Sequence, residues 1–176
     1  NNVIGSKSHP PTGCPKCSNL RYRNESNIEN ILLEKGFKNI SKSGETINKV
    51  INEISSTNNC FIRDVQIKRE GKRELRIDYL INNNGDIFAL EIDGPQHYGL
   101  RFRDLSDQEN RIFKNDSEKV RLLLNQYKIE TSRIPLPIIK TDIEIEEEIN
   151  MILGGNSRWI GIPQKGWLDG HHKSYD

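Results

Sequence analysis

Two carboxylates set inside apolar runs constrain this chain more than any other feature. Asp78 stands in ELRIDYLI, where alternation places it among apolar neighbours, and Glu91 closes the run Ile87, Phe88, Ala89 and Leu90. An ionised carboxylate is costly to bury unless it is paired, hydrogen-bonded or bound to a cation. The turn sequence NNNGD separates the two stretches, so adjacent antiparallel strands are expected to bring both acids to one place. Hard oxygen ligands held a few ångströms apart suit Mg2+, with water completing the octahedron. The plainer alternative is a pair of surface ion pairs from Asp78 and Glu91 to Arg76 or Lys68.

The flanking segments predict a mixed α/β domain. Residues 25–35 carry Ile28, Ile31, Leu32 and Leu33 near helical spacing and stop at Gly36. In SKSGETINKVINEISS, Ile47, Val50, Ile51 and Ile54 fall on one helical face, with Glu45 expected in the first turn. CFIRDVQIK, ELRIDYLI and IFALEID read as an antiparallel meander, with IFALEID continuous enough to be a central strand. DQENRIFKNDSEKVRLLLNQY reads as a long helix, and IETSRIPLP as a last strand ended by Pro135 and Pro137. The expected order is α, β, β, β, α, β. At 176 residues the chain suits one such domain and a small appendage. The expected division is a module and linker helix over 1–42, a core over 43–140, and a C-terminal helix and tail over 141–176.

Charge is segregated beneath a formal net of +1. Residues 1–42 hold seven Lys/Arg against three Glu, and residues 61–76 hold six against three acids, whereas TDIEIEEE has five acids and no base. A polyanion would meet the first two regions; read singly, each run is a solvated surface. Apolar runs such as IFAL are far below the roughly 18 residues that span a bilayer. With no secretory signal pattern before the first motif, the expectation is an intracellular protein.

Three cysteines close no disulfide framework, and two of them form GCPKC. Cys14 and Cys17 at this spacing suit a tetrahedral zinc, the neighbouring Gly and Pro allow a tight knuckle, and His9 is a candidate third ligand. The fourth is expected upstream of Asn1. A redox dithiol would want a βαβ setting that the sequence lacks. Cys60, ahead of an apolar strand, reads as a buried small hydrophobe.

Past Glu91, EIDGPQHY puts Asp93, Gln96 and His97 on a loop bent by Gly94 and Pro95. Polar groups there can converge on a metal or a phosphate, and a histidine beside acids can act as general acid or base, or as a cation toward phosphate.

GETINKVINEI, RIDY followed by ALEIDGPQHY, and NDSEKVRLLLNQYKIETSRIPL together resemble the PD-(D/E)XK nuclease superfamily. The similar branch contains the very-short-patch repair endonuclease and homing-type endonucleases of phages and large viruses. The resemblance covers roughly residues 44–136. It implies a restriction-endonuclease-like αβββαβ core, and HPPTGCPKC resembles the end of a zinc module fused to such nucleases. By matching position, it implies that Asp78 and Glu91, with the carbonyl of Ile92, hold Mg2+ or Mn2+, and that Glu45 is an accessory acid on the metal's water. The superfamily's usual lysine falls at Asp93, so Gln96 and His97 are expected to share its work, or Asp93 to help bind the metal. Asp116 and Lys119 match a later helix motif, which an i,i+3 ion pair explains equally well. The expected activity is hydrolysis of double-stranded DNA, by a monomer or dimer. Arg76, Arg101 and Arg103 are candidate backbone contacts, and Lys16, Arg21 and Arg23 candidate contacts of the zinc module. The rivals are an inactive zinc-containing DNA-binding or regulatory protein on the same scaffold, and an RNA nuclease.

Overall fold

A computed structural model describes residues 15–41, 44–98, 106–139, 141–164 and 167. A five-stranded mixed sheet in the order β1-β2-β3-β4-β5 forms the middle layer. Its strands are β1 (Lys38–Asn39), β2 (Cys60–Arg69), β3 (Lys72–Asn83), β4 (Asp86–Asp93) and β5 (Glu130–Pro135). β2, β3 and β4 run as the expected antiparallel meander, while β1 joins β2, and β5 joins β4, in parallel. Helix α3 (Ser106–Leu122) and a wider helical turn, Leu123–Tyr127, make the crossover that a parallel β4–β5 pair requires.

Strand alternation divides the apolar residues between two faces. On one, Tyr79, Ile81, Phe88, Leu90, Ile92 and Ile134 pack against α1 (Pro15–Glu34) and α4 (Asp142–Leu153). On the other, Ile62, Val65, Ile77, Leu80 and Ala89 pack against α2 (Ile47–Ser56) and Leu123. The helix expected over residues 25–35 is the second half of α1, which reaches back to Pro15. Its Ile28, Ile31 and Leu32 are buried against the sheet, at about 1.5–3 kcal/mol for each such side chain. Helix α4 is closed at its start by a reciprocal capping box between Thr141 and Glu144.

Two local features aim the strands. Asn84 and Gly85, both at positive φ, form the two-residue turn between β3 and β4, a conformation that Asn and Gly tolerate best. The β2–β3 ladder skips one rung, Asp64 opposite Asp78, and Asp64 is left-handed at φ 55°. Both strands change faces there: Ile62 and Val65 share a face although three residues apart, as do Ile77 and Leu80.

Several expectations are corrected in detail. Glu45 is not in the first turn of α2; it precedes the N-cap Thr46, and its carbonyl accepts from the Gln66 amide. Lys16 and Cys17 fall in the first turn of α1, with Arg21 and Arg23 further along it. The side chains of these four residues, together with His9, Cys14, Arg101 and Arg103, lie outside the described residues. Cys60 is buried, its thiol donating to the Thr57 carbonyl at 2.9 Å. Among the described residues, no helix is long and apolar enough to cross a membrane.

Candidate active site

The β3–β4 ladder runs from Asn83↔Asp86 to Tyr79↔Leu90 and ends one rung short of Asp78 and Glu91. There the side chains replace the ladder. The Ile92 amide donates to Asp78 Oδ2 at 2.9 Å, and the Asp78 amide lies 3.4 Å from Glu91 Oε1. Because a strand residue's N–H and C=O point toward the same edge, the Ile92 carbonyl also faces β3. Its neighbour Asp93 faces the other way, its carbonyl accepting from Leu136. The carboxylates of Asp78 and Glu91 thus meet at the fork, with the Ile92 carbonyl directed toward the same gap between strands.

A lysine enters this fork from α3. Lys119 Nζ forms an ion pair with Glu91 Oε2, donates to the Arg76 carbonyl at 2.9 Å and lies 3.8 Å from Asp116 Oδ1. The i,i+3 contact with Asp116 exists, but Glu91 is the closer partner. Burial pushes the Glu91 carboxyl up to about 7, with Lys119 acting against the shift and Asp78 adding to it. Burial opposes the charge on Lys119, yet Glu91, Asp116 and Asp78 outweigh it and raise its pKa.

Asp93 shares the strand face of Glu91 but is turned to a separate job. Arg133 Nη1 lies 2.8 Å from both of its oxygens, and the Tyr98 hydroxyl donates to Oδ2 at 2.9 Å. Asp93 and Arg133 are both fully buried, so this carboxylate is enclosed by Arg133 and Tyr98. Burial, followed by the charge of Asp93, raises the Tyr98 hydroxyl well above its ordinary value.

His97 follows in a 3-10 turn, Pro95–Tyr98. Its Nδ1 lies 2.7 Å from Asp116 Oδ2 on α3 and 3.7 Å from Asp93 Oδ1. Burial disfavours the imidazolium, but the hydrogen bond to Asp116 and the charges of Asp93 and Asp116 prevail, so its pKa is raised. Asp116 is lowered: burial would raise it, and His97, Arg133 and Lys119 more than compensate. Asp116 therefore engages the Nδ1 side of the ring and fixes its orientation.

Glu45 and the side chain of Arg76 sit apart from this group. Glu45 lies at the outer edge of β2, beside Gln66, one strand removed from β3. Arg76 pairs with Asp64 rather than with Asp78 or Glu91, and its side chain is mostly exposed. Gln96 belongs to the Pro95–Tyr98 turn, with its side chain outside the described residues. Arg133 was not singled out from the sequence. The one available signal was an arginine at the centre of a strand otherwise bound for burial, which calls for a buried acid.

This donor set fits a hard divalent cation. Among the described residues no group of three or more His, Cys, Asp or Glu side chains is arranged to hold a metal. The fork instead offers two carboxylates and a carbonyl, and Mg2+ commonly takes one or two carboxylates and keeps several waters. Compared with models of protein families, with curated proteins and with solved structures, the chain matches none.

Proposed function

We propose that this chain is a divalent-metal-dependent endonuclease of the PD-(D/E)XK type that hydrolyses phosphodiester bonds of duplex DNA. The observation that carries the reading is the fork, where Asp78 and the backbone of Ile92 meet across separated strands with Glu91 one position before. The order of helices and strands around the mixed sheet supports the same family reading.

Asp78, Glu91 and the Ile92 carbonyl would hold Mg2+ or Mn2+, which when bound polarises the scissile phosphate and lowers the pKa of a water. His97, held through Nδ1 by Asp116, presents Nε2 to take the proton of the attacking water or to supply one to the leaving oxygen. Lys119 supplies from α3 the cation that the position two residues after Glu91 lacks, and its ammonium stabilises charge developing on the phosphate. Asp93 belongs to the support of the site. The β2–β3 arm exposes Lys68, Lys72, Arg73 and Arg76, a surface suited to a phosphate backbone. A structural zinc on His9, Cys14 and Cys17 belongs to the same proposal and is tested by metal analysis of the purified chain and of Cys17→Ser.

The decisive experiment incubates purified protein with supercoiled plasmid and Mg2+ or Mn2+. Wild type should nick or linearise it, and Asp78→Asn and Glu91→Gln should not. Equal conversion by all three proteins, or none by any with either metal, would reject the reading.

A further inference from the structure

The segment after α4 carries two tryptophans that the reaction does not use, and it returns to the site. Residues 159–161 lie along the outer edge of β5: Arg133 donates its amide to the Trp159 carbonyl at 2.8 Å, and Gly161 donates to the Thr131 carbonyl at 2.8 Å. Ser132 and Ile160 form an antiparallel bridge. The strap thereby pairs what would otherwise be an open sheet edge.

Its aromatic residues continue inward. The Trp159 and Trp167 rings are 5.4 Å apart and tilted by 58°, and Trp167 lies 6.4 Å from the Tyr98 ring, tilted by 47°. Such tilted contacts are favourable beyond the area they bury. Tyr98 is buried, and its hydroxyl donates to Asp93. Asp93 is held by Arg133 Nη1, and Arg133 Nε donates to the Gly161 carbonyl at 2.5 Å, back on the strap. The contacts close a ring: strap to Arg133, Arg133 to Asp93, Asp93 to Tyr98, Tyr98 to Trp167, Trp167 to Trp159. His97 is the residue immediately before Tyr98 in the short turn they share, and its amide donates to the Gly94 carbonyl at 3.2 Å.

We propose that the C-terminal strap is a positioning element of the catalytic site: Trp159 and Trp167 clamp the Pro95–Tyr98 turn through Tyr98 and so hold the His97 ring against Asp116. The groups that face His97 from the packed elements are Asp93 on β4, Asp116 on α3 and Arg133 on β5. None of them belongs to the strap, which acts on His97 through geometry. A small displacement of a proton-transferring group lowers turnover steeply. The catalytic consequence rests on the reading of His97 given above; the structural one does not.

The test uses the full chain and two readouts. In Trp167→Ala, the His97 ring resonances should move and the hydrogen-bonded Nδ1 proton should be lost by NMR, while Mn2+ affinity stays within about two-fold of wild type. On supercoiled plasmid, kcat should fall about ten-fold or more with KM unchanged, and Trp167→Phe should restore most of it. Trp167→Leu, which keeps apolar volume without the ring, serves if the alanine variant does not fold. Unchanged His97 resonances in a folded Trp167 variant would overturn the proposal. So would unfolding of both the alanine and leucine variants, which would make the strap core rather than positioner. If wild type cleaves nothing, the nuclease reading fails while the NMR result still decides the clamp.

Discussion

Arg133 Nη1 lies 2.8 Å from each carboxylate oxygen of Asp93, and neither side chain reaches solvent. A buried pair of this kind adds little over an apolar pair, but removing one partner leaves the other charge stranded. Arg133→Met should therefore cost about 3–5 kcal/mol in denaturant unfolding. Asp93→Asn combined with Arg133→Met should cost less than the sum of the single changes. Additive losses would mean that the two groups do not depend on each other.

Glu91 predicts an unusual pH dependence for the metal-free protein. Its folded pKa of about 7 lies above the ordinary 4.5, so the native state binds a proton that the unfolded chain has released. The associated stability, roughly 3 kcal/mol, is complete below pH 4.5 and is lost as pH rises through 7. His97, also raised, acts in the same direction at the upper end of this window. Without metal, melting temperature should fall between pH 5 and pH 8, and Glu91→Gln should flatten the slope. Added Mg2+ should restore stability at pH 8 and have little effect at pH 5. A metal-free melting profile that rises across this range contradicts the assignment.

His97→Ala and Asp116→Asn should each lower turnover on plasmid by about 10^2 to 10^4, the usual range for a general acid or base. The two changes together should cost little more than His97→Ala alone, because Asp116 acts through the ring it orients. A double variant with multiplied losses would assign Asp116 an independent role.

Replacing Lys119 separates a catalytic cation from a structural one. Lys119→Met keeps the buried aliphatic stem while removing the charge beside Glu91, and turnover should drop about 10^2 to 10^3-fold. The measurement is single-turnover cleavage at saturating Mn2+, with circular dichroism verifying the fold. Cleavage within two-fold of wild type would leave Lys119 only the counter-ion of Glu91.

The parts of the site carried by neighbouring residues were legible before the structure. Asp78 and Glu91 stand out because acids inside apolar strands need a reason, and the Asn84–Gly85 turn fixes their strands side by side. Asp93 and Glu91 look alike in the sequence, since alternation gives both the same face. What distinguishes them is Arg133, forty residues away on a strand that arrives only after the α3 crossover. Lys119 and Asp116 matched a helix pattern, but a pattern does not say which turn of α3 lies over the fork. The strap was opaque because its two tryptophans have no periodicity; their meaning comes from packing on Tyr98. Glu45 was placed in a helical turn because its sequence fits one, whereas the Gln66 amide draws its backbone to the edge of β2.

The skipped rung between Asp64 and Asp78 bears on how this sheet tolerates change in length. Both strands switch faces at the same level, so the arm beyond it, Val65–Ile77, keeps its own inside and outside by a shared offset. Deleting Asp64 alone would bring Ile62 and Val65 to the ordinary two-residue spacing of one face and leave Asp78 as a one-sided bulge, whereas losing a residue from each strand at that level would leave two regular strands in phase. The second of those losses would remove Asp78 as well. Inheritance can thus repair the sheet's phase at this rung or preserve the acid in the fork, and a lineage that keeps the acid must keep the irregularity with it.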